Sequence, residues 1–240
     1  MAKDKLAIDL SAEQAQLSHR ALSAQRWLAR LSRWRLVSRR SAAHALIESL
    51  QTERRTMVSV TRLWNLFDAC SSPDLPGGAF VECGVAQGGC VALMSLMARG
   101  ARPVWGFDSF EGMPPLQPED EGDGQAWVGL RCSGPEGLQR ARQTLRRYAV
   151  DGPTVRLIPG WFEDTLPDYL EELMPIAVLR LDNDWYKSTR YCLEKLYDLV
   201  APGGFVLVDD YHTFLGCRKA VDEFRTKRGI NSPLITVESG

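Results

Sequence analysis

The sequence lacks a long apolar run, an excess of basic residues and more than a few histidines, and each absence excludes a class of protein. No stretch approaches the roughly 18 consecutive apolar residues of a membrane-spanning helix. Lysine and arginine number 29 against 30 aspartates and glutamates, so the basic face typical of nucleic-acid-binding proteins is not expected. Only three histidines occur, two of them before residue 45, which argues against a zinc site.

The cysteines and the first residues of the chain indicate a reducing compartment. None of the six cysteines belongs to a Cys-x-x-Cys pair, and in a chain of 240 residues they are typical of buried thiols. Residues 1–10 mix charged with apolar residues, so they lack the apolar core of a secretory signal peptide. We therefore expect a cytoplasmic protein.

The first fifty residues differ from the rest and predict a basic helical extension, residues 1–50, ahead of a second domain, residues 51–240. Seven arginines and no carboxylate lie between His19 and Arg40, and Leu28, Leu31 and Trp34 recur at helical spacing. The helix either binds an anionic surface or caps the main domain or a subunit interface. We favour the second interpretation, because acidic residues elsewhere balance the charge, and we expect a homodimer or larger homo-oligomer.

From residue 79 onward, short apolar runs alternate with helical stretches. The runs predict strands at residues 79–83, 103–107, 154–158, 176–181, 205–208 and 234–237. This alternation predicts an α/β fold, a parallel sheet with helices on both faces. Residues 114–134 are rich in proline, glycine and acids and predict a long loop of the kind that closes active sites. In such sheets the ligand lies beyond the carboxyl ends of the strands.

The first predicted strand ends in a glycine turn that contains Glu82 and Gly84. Gly84 and Gly88 are four residues apart, which does not fit the dinucleotide pattern GxGxxG. Glu82 would repel a pyrophosphate but could pair with a ligand ammonium group. Asp108 ends the second strand, where an acid commonly accepts hydrogen bonds from ribose hydroxyls. Together these residues fit S-adenosylmethionine better than NAD, and a plain tight turn is the simpler alternative.

Four carboxylates follow two later strands: Asp182 and Asp184 after the fourth, and Asp209 and Asp210 after the fifth. At one edge of a sheet they would repel one another unless a cation neutralises them or some are protonated. Mg²⁺ and Ca²⁺ prefer such oxygen ligands. We favour a metal, because Asp209 and Asp210 are adjacent just after an apolar strand. Helix caps and solvated loop acids are the alternative.

Five segments together resemble the macrocin-type sugar O-methyltransferases of antibiotic biosynthesis, which include tylosin, mycinamicin and novobiocin pathway enzymes. The segments are GGAFVECGVAQGG, WGFDSFEGMPP, IPGWFEDTLPD, VLRLDNDWYKST and APGGFVLVDDYHTFLGCRKAVDEF. The resemblance implies a Rossmann-like class I methyltransferase fold, with a mostly parallel sheet of the seven-stranded type. It also implies S-adenosylmethionine and Mg²⁺ as cofactors, and a sugar hydroxyl of a glycosylated natural product as the methyl acceptor.

The resemblance also implies site residues. Asp182, Asp209 and Asp210 match the family's metal ligands and Asp184 matches its candidate general base. His212, the only histidine in the catalytic half, is the rival base. The positions that match cofactor contacts are Thr56, Met57, Glu82, Cys83, Gly84, Val85, Ala86, Asp108, Ser109, Phe110, Glu111, Trp161 and Glu163.

Three other functions stay open at this point. A dinucleotide-dependent enzyme of Rossmann type is disfavoured by Glu82 and by the absence of the GxGxxG pattern. A catechol or other small diol would chelate the same metal, so the acceptor could be a small phenol. A non-enzymatic binding module that uses the basic helix as its contact surface belongs to a different class. The four acids at the strand ends speak against that module.

Overall fold

The computed structural model describes residues 38–120, 122 and 136–238. The chain divides into two units, Met1–His44 and Ala45–Gly240, and the second contains the sheet. Residues 1–37 of the predicted basic extension and residues 121 and 123–134 of the predicted 114–134 loop lie outside the described residues. The homo-oligomer stays a prediction. In the described part of the chain, no helix is long and apolar enough to cross a membrane.

Helices and strands alternate through the second unit. Within the described residues the order is α1 (38–52), α2 (Val60–Ser71), β1 (Ala79–Cys83), α3 (Gly89–Ala98), β2 (Val104–Asp108), α4 (Gly137–Arg147), β3 (Val155–Pro159), α5 (Phe162–Leu173), β4 (Ile176–Leu181), α6 (Tyr186–Leu196), β5 (Val200–Val208) and α7 (Leu215–Arg228). Single 3₁₀ turns cover Pro118–Asp120 and Tyr197–Leu199.

The strands form one sheet in the order β3-β2-β1-β4-β5, and every neighbouring pair is parallel. Every residue of β1 and β4 is buried, as expected for central strands of a sheet covered on both faces. The chain proceeds from β1 to β2 and β3 on one side, and returns to β4 and β5 on the other. The topological switch point therefore lies between β1 and β4, where ligands bind in such sheets.

Helices cover both faces of the sheet, which confirms the predicted α/β fold. On one face, residues of α5, α6 and α7 such as Leu166, Leu193 and Phe224 form a core with alternate strand residues. On the other face, Gly106 of β2 lies against Val91 of α3. Nine of the ten residues of α3 are buried, because α2 and α4 pack over it. The five described cysteines are buried and free, as predicted.

Two predictions about the sheet are wrong. Residues 234–237, predicted as a strand, are irregular and exposed, so the described residues form five strands in place of the six predicted from the apolar runs. The strand predicted at residues 205–208 begins earlier, because α6 ends at Leu196 and β5 already begins at Val200. Pro202 and the glycines after it lie inside β5, where its register against β4 shifts. An edge strand with such an irregularity tolerates proline and glycine.

Candidate functional site

The crevice between β1 and β4 begins where Gly84 passes over Asp182. The amide of Asp182 donates to the carbonyl of Cys83 at 2.9 Å, so pairing of the two strands continues beyond their ends. Gly84 has φ +94°, and a Cβ there would lie 1.9 Å from the Asp182 carbonyl oxygen. Only glycine fits this turn. In the sequence, Gly84 indicated that the backbone comes close to a ligand. The structure shows that glycine is also required there because the ends of β1 and β4 are in contact.

The carboxylate of Asp108 organises the turn after β1. Its Oδ2 accepts hydrogen bonds from the amides of Val85 at 2.7 Å and Ala86 at 2.8 Å, and its Oδ1 accepts from the amide of Phe110 at 2.6 Å. A carboxylate has about four acceptor positions, so three are used by the chain itself. The remaining position is what Asp108 can offer a ribose hydroxyl.

A single cavity of about 690 Å³ contains the carboxyl ends of β1, β2, β4 and β5. Seven of the predicted cofactor residues line it: Met57, Gly84, Ala86, Asp108, Ser109, Trp161 and Glu163. The four predicted acids line it as well: Asp182, Asp184, Asp209 and Asp210. The other predicted cofactor residues do not line it: Thr56, Glu82, Cys83, Val85, Phe110 and Glu111. One cavity therefore joins the glycine turn to the acids.

A buried guanidinium group, that of Arg180 in β4, connects three of the carboxylates. Arg180 is 3% exposed. Its Nη1 donates to Glu82 Oε1 at 2.6 Å and to Asp182 Oδ2 at 2.8 Å, and its Nη2 lies 2.8 Å from Asp209 Oδ1. In the structure, therefore, the partner of Glu82 is an arginine of the neighbouring strand. Burial raises the pKa of Glu82 to about 8, against the opposing attraction of Arg180.

Three of the acids converge on one point of the cavity. Asp182, Asp184 and Asp210 each offer a carboxylate oxygen within 4.8 Å of the others. Asp210 is 5% exposed, and its Oδ2 has no hydrogen-bond partner among the described residues. A buried carboxylate oxygen without a partner is costly, and a cation bound there would remove that cost.

Burial and mutual repulsion shift the titration of this acid cluster. Burial raises the pKa of Asp182, Asp184 and Asp210 above the usual aspartate range. The charges of the neighbouring acids add to the rise, while Arg180 opposes it at Asp182. Both causes act against the charged form, so the metal-free cluster binds protons that ordinary aspartates would release.

Asp209, a predicted metal ligand, has an arginine on each of its oxygens. Oδ1 lies against Arg180, and Oδ2 accepts a hydrogen bond from Arg62 Nη1 at 2.8 Å. Arg62 also pairs with Glu238, with 3.3 Å between Nε and Oε2. The structure brings Asp182, Asp184 and Asp210 together, whereas the family resemblance implies Asp182, Asp209 and Asp210 as metal ligands. The two sets therefore differ only in their third member, Asp184 or Asp209.

The two candidate bases lie in different surroundings. Asp184 lines the cavity between Asp182 and Trp185, and its φ of +62° places it in the left-handed region. His212 is exposed and does not line the cavity, and its Nε2 lies 3.0 Å from Thr236 Oγ1. The cavity geometry therefore favours Asp184.

Sequence reasoning missed several residues of the site. Arg62 and Arg180 had no predicted role, although an arginine inside the apolar run IAVLRL (176–181) was a signal. Five further residues that follow β2 also line the cavity: Gly112, Met113, Pro114, Pro115 and Gln117. We call the last four the acceptor wall, since no predicted cofactor residue lies among them and Trp185, which also lines the cavity, bonds to the Pro114 carbonyl.

Comparisons with known proteins identify relatives over most of the chain. The profile of the family described as Macrocin-O-methyltransferase (TylF) matches residues 25–240. The chain is 37% identical over 195 residues to 8-demethyl-8-(2,3-dimethoxy-alpha-L-rhamnosyl)-tetracenomycin-C 4'-O-methyltransferase of Streptomyces olivaceus, covering 76% of this chain and 72% of the relative. It is 38% identical over 193 residues, with the same coverage, to demethyldecarbamoylnovobiocin O-methyltransferase of Streptomyces niveus. The solved O-methyltransferase NovP has a TM-score of 0.65 and 34% identity, covering 77% of this chain and 78% of that chain.

The raised pKa values predict that the metal-free protein loses stability as pH rises. Glu82 and the clustered aspartates bind protons more tightly in the folded chain than in the unfolded chain. For Glu82 the cost of ionisation in the folded chain is absent at low pH and is incurred between pH 4.5 and about 8, since over that range the folded state binds more protons than the unfolded state. Urea denaturation in EDTA across this range should give a falling free energy of unfolding. A flat or rising profile would contradict the assignment.

Proposed function

Because the chain belongs to the macrocin-O-methyltransferase (TylF) family and is an O-methyltransferase, we propose that it methylates a sugar hydroxyl of a glycosylated natural product. The methyl donor in this proposal is S-adenosylmethionine and the reaction depends on Mg²⁺. The observation that carries the proposal is the single cavity that holds both the glycine turn and the acids. Donor and acceptor can meet in it without leaving the crevice between β1 and β4.

The cofactor half of the cavity supports the choice of methyl donor. The turn at Gly84 brings backbone close to the crevice, and Asp108 retains one acceptor position for a ribose hydroxyl. Trp161 supplies an aromatic surface beside them. We propose that Gly84, Asp108 and Trp161 would hold the nucleoside of S-adenosylmethionine, whose sulfonium would supply the methyl group in the same cavity as the acids.

The donor set of the acid cluster fits a hard divalent cation. Its ligand atoms are carboxylate oxygens, which Mg²⁺ prefers, and Asp210 Oδ2 is buried without a partner. We propose that Asp182, Asp209 and Asp210 hold the ion, as the family resemblance implies. When bound, Mg²⁺ would act as a Lewis acid that lowers the pKa of an acceptor hydroxyl.

Asp184 is the proposed general base. In the transfer, a carbon–oxygen bond forms as the carbon–sulfur bond breaks, its electron pair stays on sulfur, and the hydroxyl proton moves to the Asp184 carboxylate. A base works best when its pKa lies near the working pH, and burial among other acids raises the pKa of Asp184 in that direction. The left-handed backbone at Asp184 holds its side chain in the cavity.

The acceptor wall supports a bulky acceptor with an apolar part. Met113, Trp185 and Phe214 line the cavity together with the acids, and Met113 packs on the cluster that contains Trp185 and Phe214, so part of the lining is apolar. The relative from Streptomyces olivaceus is named for a rhamnosyl-tetracenomycin acceptor. A catechol would reach the same acids but would leave most of this wall uncovered.

An acceptor panel tests the proposed function. Purified protein is incubated with labelled S-adenosylmethionine and three acceptors: demethyldecarbamoylnovobiocin, the rhamnosyl-tetracenomycin acceptor of the Streptomyces olivaceus relative, and a catechol. We expect label on a sugar hydroxyl of at least one glycosylated acceptor, and loss of transfer in excess EDTA. Transfer to the catechol alone would replace the sugar acceptor with a phenol. Full activity in excess EDTA would show that the reaction does not depend on Mg²⁺.

Conservative substitutions separate the proposed roles of the acids. Asp184→Asn should lower turnover by about 10²–10⁴, the range for loss of a general base, while Mg²⁺ still raises the melting temperature. Asp182→Asn, Asp209→Asn and Asp210→Asn should lose turnover and the Mg²⁺-induced thermal shift together. Asp168→Asn on the exposed side of α5 is the control. Loss of the thermal shift in Asp184→Asn, with its retention in Asp209→Asn, would make Asp184 the third ligand.

A further inference from the structure

Asp120 is a further buried carboxylate, outside the acid cluster. It ends the 3₁₀ turn Pro118–Asp120, directly after the acceptor wall, and is 0% exposed. Its sequence surroundings are proline- and acid-rich, a composition that predicts a solvated loop. A fully buried aspartate in such a segment must be satisfied by specific donors, and the structure shows which they are.

Both oxygens of Asp120 accept hydrogen bonds from backbone amides. Oδ1 accepts from the amide of Tyr186 at 2.7 Å, and Oδ2 accepts from the amide of Gln117 at 3.0 Å. Tyr186 is the first residue of α6, and the N-cap residue Trp185 makes no side-chain capping bond of its own. Asp120 therefore caps α6 from a segment 66 positions earlier in the chain, and its charge complements the positive helix end.

The first turn of α7 also packs against the Asp120 carboxylate. Gly216 is the second residue of α7, and a Cβ at that position would lie 1.9 Å from Asp120 Oδ1. The carboxylate thus lies against the N-terminal turns of two helices, both of which favour a negative charge. No larger side chain at position 216 is compatible with this arrangement.

The same helix start also contacts the acceptor wall. The indole Nε1 of Trp185 donates to the Pro114 carbonyl at 2.9 Å, and Met113 and Leu116 pack on Trp185. Asp184 precedes Trp185 in the chain. Asp120 accepts hydrogen bonds from the Gln117 amide, in the acceptor wall, and from the Tyr186 amide, two residues after Asp184. It therefore connects the acceptor wall to the segment that contains the proposed base, Asp184.

We propose that Asp120 is a positioning residue that fixes the acceptor wall relative to Asp184, so that a bound acceptor presents its hydroxyl to the base. The inference rests on the proposed function. It assigns Asp120 no contact with acceptor or cofactor, and its effect passes through the Gln117 and Tyr186 amides. Asp120 thereby sets acceptor affinity while leaving the cofactor half of the cavity unchanged.

The test compares Asp120→Asn with Glu119→Gln, its neighbour in the same turn. Asparagine retains one acceptor oxygen, so one of the two backbone amides loses its partner. We expect the KM of the panel acceptor used fastest by the wild type to rise about tenfold, the scale of one hydrogen bond to a charged group. The Kd for S-adenosylmethionine, measured by calorimetry, should stay within about twofold. Glu119→Gln should change neither value.

Gly216→Ala tests the same contact from α7. Its added methyl should displace the Asp120 carboxylate and reproduce the rise in acceptor KM, while Gly152→Ala, whose Cβ would meet nothing within 4 Å, should not. Because both changes act on one contact, the double variant Asp120→Asn/Gly216→Ala should be no worse than the more affected single variant. Additive effects would contradict a shared mechanism.

Hydrogen exchange provides a readout independent of turnover. In Asp120→Asn, peptides that contain Gln117 and Tyr186 should exchange faster than in the wild type, while peptides of β1 and β2 stay unchanged. Unchanged exchange at both amides, or a cofactor Kd that weakens in parallel with acceptor KM, would overturn the inference. If the wild type methylates no panel acceptor, the proposed function fails, and the exchange result still decides whether Asp120 holds the wall.

Discussion

The buried guanidinium of Arg180 is the interaction on which the rest of the site depends. It pairs with Glu82 at the end of β1, with Asp182 at the end of β4 and with Asp209 just after β5. Charges buried this deeply are tolerated only when paired and hydrogen-bonded, and the planar fork of an arginine can serve several carboxylates at once. The strand ends that form the crevice are therefore held by one side chain, and removing it would leave three carboxylates facing one another.

Arg180 does not neutralise the whole site. Five carboxylates surround two guanidinium groups there: Glu82, Asp182, Asp184, Asp209 and Asp210 against Arg62 and Arg180. With these groups ionised, negative charge remains in excess, the more so because Arg62 also pairs with Glu238. Burial and mutual repulsion therefore raise the pKa values of the clustered aspartates. A divalent ion and a sulfonium are both cationic, so the proposed cofactors of a methyl transfer would reduce this excess.

The sequence predicts the central part of this arrangement and misses what depends on distant contacts. β1 and β4 could be predicted because short runs that are apolar except for one charged residue each indicate strands buried on both faces. The place of the acids at the strand ends follows from the sheet rule. The start of β5 could not, because Pro202 and the glycines after it resemble a helix end. The burial of Asp120 was also hidden, since its partners are the amides of Gln117 and Tyr186 and the space left by Gly216. The sequence around α6 gives no indication that its N-terminus is capped by Asp120, which lies 66 positions earlier in the chain.

Proton-linked Mg²⁺ binding tests the central claim most directly, namely that the acids at the strand ends form a cation site. Mg²⁺ is titrated into the full-length protein near pH 6.5 in two buffers of different ionisation enthalpy, with S-adenosylmethionine present. Because metal ligands must be deprotonated and the clustered aspartates have raised pKa values, binding should occur at one site and release protons, so the measured heat should differ between the buffers. Absence of Mg²⁺ binding, or binding with the same heat in both buffers, would contradict the account.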